Sequence, residues 1–90
     1  MAASIAEMGQ PRLTPAGLAA LDLQLAHESQ QSEAGQPRSV KATVRALALG
    51  TVAETLARQA LGSNWLFSGF LTSPRNSRQL VFHIQDFHRN

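Results

Sequence analysis

No cysteine occurs among the 90 residues. That absence excludes a disulfide framework, a thiol nucleophile and a thiolate zinc site. Aromatic side chains are also scarce, with one tryptophan, four phenylalanines and no tyrosine, so few flat surfaces are available for stacking. No apolar run approaches the roughly 20 residues of a membrane-spanning helix. The opening segment MAASIAEMG has neither a basic stretch nor a long apolar one. It does not read as a secretory leader, so a reducing, cytoplasmic setting without a membrane partner is expected. Glycine-rich phosphate loops and a G-x-S-x-G nucleophile frame are missing too, which leaves an enzyme reading without residues to stand on.

Charge is modest overall, +2 at neutral pH, but unevenly distributed. Residues 1–37 carry Arg12 against Glu7, Asp22, Glu28 and Glu33, a net −3. Residues 38–90 carry Arg38, Lys41, Arg45, Arg58, Arg75, Arg78 and Arg89 against Glu54 and Asp86, a net +5. A local basic patch predicts salt-sensitive contact with a polyanion better than total charge does. Seven of the eight cations are arginine, whose planar fork suits bidentate phosphate contact and stacking.

Ninety residues make one domain, spanning 1–90, near the size at which stability is thin and a partner chain helps. The hydrophobic pattern is mainly that of strands. A short one is expected over Ala3–Met8, broken by Gly9-Gln10-Pro11, and Thr14-Pro15-Ala16-Gly17 reads as a turn. In Leu18–His27 the alternation turns Leu21, Leu23 and Leu25 inward. Residues Glu28–Pro37, ESQQSEAGQP, are polar throughout and read as a long loop. A third strand over Ser39–Leu49 sets Lys41 and Arg45 on the face opposite Val40 and Val44. Thr51-Val52-Ala53-Glu54 has the spacing of a capping box, Val52, Leu56 and Ala60 recur at intervals of four with Leu61 continuing the stripe, and Gly62 is the expected stop. Asn64–Thr72 alternates again, with Trp65, Phe67 and Leu71 on the inner face and Phe70 outward. Gly69 within it marks a bend or a close backbone approach. The basic segment Ser73–Arg78 then leads to a last strand, Gln79–Phe87, with Leu80, Phe82 and Ile84 on one face. All-β, five strands with one short helix between the third and fourth, is the connectivity of the oligonucleotide-binding (OB) barrel.

Several motifs then carry a resemblance: T-P-A-G at Thr14–Gly17, L-x-L-x-L-A-H-E-S at Leu21–Ser29, E-A-G-Q-P-R at Glu33–Arg38, L-G-S at Leu61–Ser63, G-F-L at Gly69–Leu71 and L-V-F-H at Leu80–His83. In this order, over most of the chain, they resemble the bacterial primosomal replication protein N (PriB) family. The resemblance implies a fold like that of single-stranded DNA-binding proteins, a homodimer, binding of single-stranded DNA, and assistance to the primosomal restart helicase when replication is reloaded at stalled forks. It also implies that Arg12, Arg38, Arg75 and Arg78 contact DNA. Lys41 and Gln36 stand where better-known members have aromatic residues.

Each candidate has a plainer alternative. Arg38, Lys41 and Arg45 either contact phosphates or solvate the outer face of a strand, and the same choice holds for Arg75 and Arg78. Phe70, outward on a barrel strand, is either a base platform or part of a subunit contact. Trp65 and Phe67 read as core. His27, His83 and His88 match no metal-ligand spacing, so neither metal nor cofactor is expected. The competing functional reading is a protein-interaction adaptor of the primosome with little DNA affinity, motivated by the missing aromatics and the low net charge.

Overall fold

The computed structural model describes residues 1–73 and 79–89, apart from the side chains of residues 29–31, 33, 38 and 40. The chain runs β1 (Ala2–Met8), β2 (Arg12–Leu13), β3 (Ala19–Glu33), β4 (Gln36–Leu49), α1 (Thr51–Leu56), β5 (Asn64–Thr72) and β6 (Val81–His88). Strands follow the order β1-β5-β6-β4-β3, and a further β1–β3 pairing closes the ring. The result is the expected five-stranded barrel with one short helix; β2 adds a two-residue flank to β3.

Closure depends on β1 serving two neighbours. Its first half pairs with β5 through Ala2↔Leu66 and Ser4↔Asn64, and its second half pairs with β3 across a bulge between Ile5 and Glu7. The extra residue re-aims the strand, as bulges do at barrel corners. Beyond the helix, β4 and β6 pair in parallel, Ala46↔Phe82 to Ala48↔Ile84. Inward side chains then meet across the interior: Ile5, Leu21, Leu25, Leu56, Phe67 and Ile84 are fully buried. Phe87 stacks on Phe67 at 6.2 Å and meets the edge of Trp65 at 5.0 Å, so both aromatics of β5 expected in the core pack against it.

Four expectations need correction. The polar stretch 28–37 is no loop: β3 and β4 form an unbroken antiparallel ladder from Ala20↔Leu49 to Glu33↔Gln36. Ala34 and Gly35, at φ 52° and 78°, make the two-residue turn, because positive φ at both central positions matches the twist of the flanking strands. The capping box does not form either. Gly50, at φ 71°, is the N-cap residue, and no side chain caps the helix. The Thr55 hydroxyl instead donates to the Thr51 carbonyl at 2.9 Å. The helix also ends at Leu56, well before Gly62, whose N–H donates to the Ile5 carbonyl at 2.8 Å and so belongs to the turn into β5. Ala53 and Leu56 plug the barrel, while Leu61 stays 63% exposed and extends no helical stripe. Finally, Leu71 lies past the covered part of β5 at 59% exposed, and Leu80 precedes β6 and is exposed as well.

Gly69 is the close approach its position implied. The β5–β6 register shifts there, with Ser68 opposite Asp86 and Gly69 opposite Ile84, leaving Gln85 as the extra residue. A Cβ on Gly69 would run into the His83 carbonyl oxygen, so only glycine lets the two backbones meet this closely.

Candidate nucleic-acid interface

The barrel fixes which side chains face outward. Because Leu21, Leu23 and Leu25 of β3 are buried, Asp22 and Gln24 must project from the other face, and on β4 burial of Ala46 and Ala48 sends Arg45 and Leu47 the same way. Register aligns Gln24 with Arg45 and Asp22 with Leu47. Arg12, held on β2 opposite Ala20, stands beside them. The turn that returns β2 to β3 is fastened by Thr14, whose carbonyl accepts from the Gly17 N–H at 2.8 Å and whose hydroxyl accepts from the Leu18 N–H at 3.2 Å.

These residues line an open groove of about 540 Å³ that continues to Thr72 and Val81, the β5–β6 pair nearest the basic segment. Two guanidinium groups therefore share one concavity, but in different states. Arg12 reaches Asp22 Oδ2 with Nη2 at 3.1 Å and Nε at 3.3 Å, and both side chains are more than half exposed. Such a pair is worth little to stability, about 0–1 kcal/mol, yet it neutralises the Arg12 charge. Arg45 donates from Nη1 to Gln79 Oε1 at 2.8 Å, a neutral partner that orients the guanidinium without cancelling it. Glu7 supplies a second carboxylate to the groove.

Lys41 is exposed on the same face of β4 but outside the groove. Its register partner is Glu28, and it lines a separate trough of about 490 Å³ with Ser4, His27, Thr43 and Asn64. There His27 Nδ1 donates to the Ala2 carbonyl at 2.7 Å. Phe70 points outward as expected, 47% exposed, and stacks on His83 with ring centroids 4.9 Å apart. Arg75 and Arg78 lie outside the described residues, as does the Arg38 side chain. Among the described residues no three His, Cys, Asp or Glu side chains are grouped to hold a metal ion, and no helix is long and apolar enough to cross a membrane.

Asp22, Gln79 and His83 were not foreseen as parts of this surface. Asp22 could have been found from alternation alone, since it lies between two inward leucines; the other two depend on partners distant in sequence.

Comparison with known proteins gives this surface its context. A family model described as "another single-strand binding protein family" matches residues 1–86. The replication restart protein PriB of Bordetella pertussis is 44% identical over 90 residues, covering 99% of this chain and 84% of that protein. The chain belongs to the PriB family of single-strand binding-like replication restart proteins. The Nitrosomonas europaea PriB is 39% identical over 84 residues, covering 92% of this chain and 78% of its own. Among solved structures, the PriB of Ralstonia solanacearum superimposes with a TM-score of 0.85 at 33% identity, over all of this chain and 93% of that one. The single-stranded DNA-binding protein of Thermus aquaticus shares the barrel with a TM-score of 0.77 at 25% identity, across 97% of this chain and 46% of that one. The barrel of this chain is thus shared with both a PriB and a single-stranded DNA-binding protein.

Proposed function

We propose that residues 1–90 act as one binding domain for single-stranded DNA during bacterial replication restart, and that the DNA backbone lies in the groove between Arg12 and Arg45. The observation that carries this reading is the groove itself. Two arginines from separate strands converge in an open concavity that ends at Thr72 and Val81, beside the segment holding Arg75 and Arg78. Lys41 extends the cationic surface along β4, the strand that also carries Arg38, and Phe70 offers a contact for bases. The role is one of binding rather than catalysis. The protein works in the cytoplasm at the nucleoid as a homodimer, and it assists the primosomal restart helicase in primosome assembly.

Fluorescence-anisotropy titration of a labelled oligothymidine at a series of salt concentrations tests the reading. With three or four phosphates neutralised per site, the log–log slope is expected at about −2 to −3. Arg45→Ala is expected to weaken binding to all sequences alike, because phosphate contacts carry no base information. Salt-independent binding, or none, overturns the proposal. Robust helicase binding by a chain with only about 10⁻⁴ M oligonucleotide affinity would favour the adaptor reading, for which the neutralised Arg12 is the structural argument.

A further inference from the structure

The outer face does not stop at the groove. Thr72 opposite Val81 forms its far wall, and one same-face step along the ladder Phe70 stands opposite His83. The two rings are stacked, 4.9 Å apart and inclined by 20°. His83 in turn neighbours Leu47 across the parallel β4–β6 pairing, and Leu47 lines the groove next to Arg45. Arg45, Leu47, His83 and Phe70 therefore occupy one continuous tract of outer face, which spans about 10 Å from β4 to β5 at the usual strand spacing.

Nothing about folding requires an aromatic here. Phe70 is 47% exposed although His83 covers one of its faces, so the other face meets solvent. The strands that carry the pair also lie close together. At the neighbouring Gly69 the β5 backbone lies against the His83 carbonyl with no room for a Cβ, and this fixes the separation of the strands that carry the two rings. A preformed aromatic face beside a cationic groove is the combination that sequence-tolerant single-strand binding uses: cations follow the backbone, and π-faces hold bases.

We propose that the Phe70–His83 pair is a base-stacking subsite, in which a nucleobase lies on the open face of Phe70 while its flanking phosphates approach Arg45. The proposal rests on the single-strand reading above. Phe70 touches the base; His83 is a positioning residue that backs the ring and holds it flat.

The test compares two oligonucleotides on the 90-residue chain, an oligothymidine and an abasic oligonucleotide of equal length, by anisotropy at several salt concentrations. Phe70→Ala is expected to lower oligothymidine affinity by about tenfold, within the range measured for base–aromatic stacking. Abasic affinity and the salt slope should not change. His83→Ala should give a smaller loss of the same kind, and His83→Phe should restore it. Equal loss on both oligonucleotides overturns the subsite, as does no loss on either. A change in sedimentation that accompanies equal losses would assign Phe70 to a subunit contact instead. Should Phe70→Ala fail to fold by circular dichroism, Phe70→Leu keeps the apolar bulk without the π-face and must show the same selective loss. If the unmodified chain binds neither oligonucleotide, the single-strand reading itself fails and the subsite with it; binding by that chain with unchanged variants removes the subsite alone.

Discussion

One ladder joins two regions that are stabilised in different ways. From Ala20↔Leu49 to Leu25↔Val44 the β3–β4 pair lies within the barrel, and beyond His27↔Ala42 the same pair projects as an arm. In the barrel half Leu21, Leu23, Leu25, Ala46 and Ala48 are buried, because β1 and β6 bring other strands over the inner face. In the arm Glu28, Ser32, Gln36, Pro37, Ser39 and Lys41 are all exposed, and among the described residues no third strand pairs with this part of the ladder. The molecule is accordingly elongated, 52 × 31 × 18 Å. Register alone continues the ladder; burial decides how much free energy each half contributes.

The sharpest way to break the comparison is to empty the barrel. Phe67 is fully buried and stacks on Phe87, so Phe67→Ala is expected to cost about 3–5 kcal/mol from lost transfer energy and the cavity left behind. Urea denaturation followed by Trp65 fluorescence reads this directly, and a cost below about 1 kcal/mol would mean the barrel is not the seat of stability. Gly69→Ala acts on the same region through the backbone. Its Cβ would strike the His83 carbonyl oxygen and lie 3.1 Å from the Gln85 nitrogen, neither of which can yield as a side chain could. A loss of about 2–3 kcal/mol is expected, at the upper end of overpacking costs.

In the arm the weak point is the turn. Ala34 adopts φ 52°, a conformation that costs an L-residue with a Cβ about 1–2 kcal/mol. Ala34→Gly removes that strain but loses more entropy on folding, and the net gain expected is about 0.5–1 kcal/mol. It should show as slower amide exchange in residues 28–41, with the barrel amides unchanged. Equal slowing in both halves would show that arm and barrel open together.

These two regions also divide what the sequence could disclose. Barrel strands were legible because each has one covered face, so Leu21, Leu23 and Leu25 alternate with polar residues, and Arg45 falls opposite Val44. The described side chains of the arm are exposed on every position, and its polar composition carries no period-two signal. Its turn is Ala-Gly rather than the stronger Asn-Gly, which is why residues 28–37 read as a loop. The same logic explains the site. Outward placement of Arg45 and Phe70 followed from alternation, whereas the stacking of Phe70 on His83 requires a register that shifts at Gly69; the glycine signals a close approach there but not which residue of β6 comes opposite. The helix end failed for a related reason: Ala60 continues the spacing of Val52 and Leu56, but it is exposed and no burial rewards the extra turn.

The smallest expected effect sharpens the comparison on the outer face. Each region sets a carboxylate beside a cation: Asp22 accepts from Arg12 in the barrel groove, and Glu28 faces Lys41 in the arm while also accepting from the Ser39 hydroxyl at 2.9 Å. A phosphate that approaches Arg12 meets a guanidinium whose charge Asp22 already offsets and whose Nε and Nη2 it already engages, so the two anions compete. An exposed pair of this kind is worth about 0–1 kcal/mol, so Asp22→Asn should tighten single-stranded DNA binding by about two- to fivefold and change stability by under about 0.5 kcal/mol. Because one more cation then sheds its counterion, the log–log salt slope should steepen by about 0.7. Glu28→Gln removes a charge that forms no salt bridge with Lys41 among the described residues, and its gain should be smaller. Arg12→Ala combined with Asp22→Asn separates release of Arg12 from a general loss of negative charge: release predicts that the gain disappears in the double variant, and a gain that survives there would assign the effect to the groove's overall potential instead.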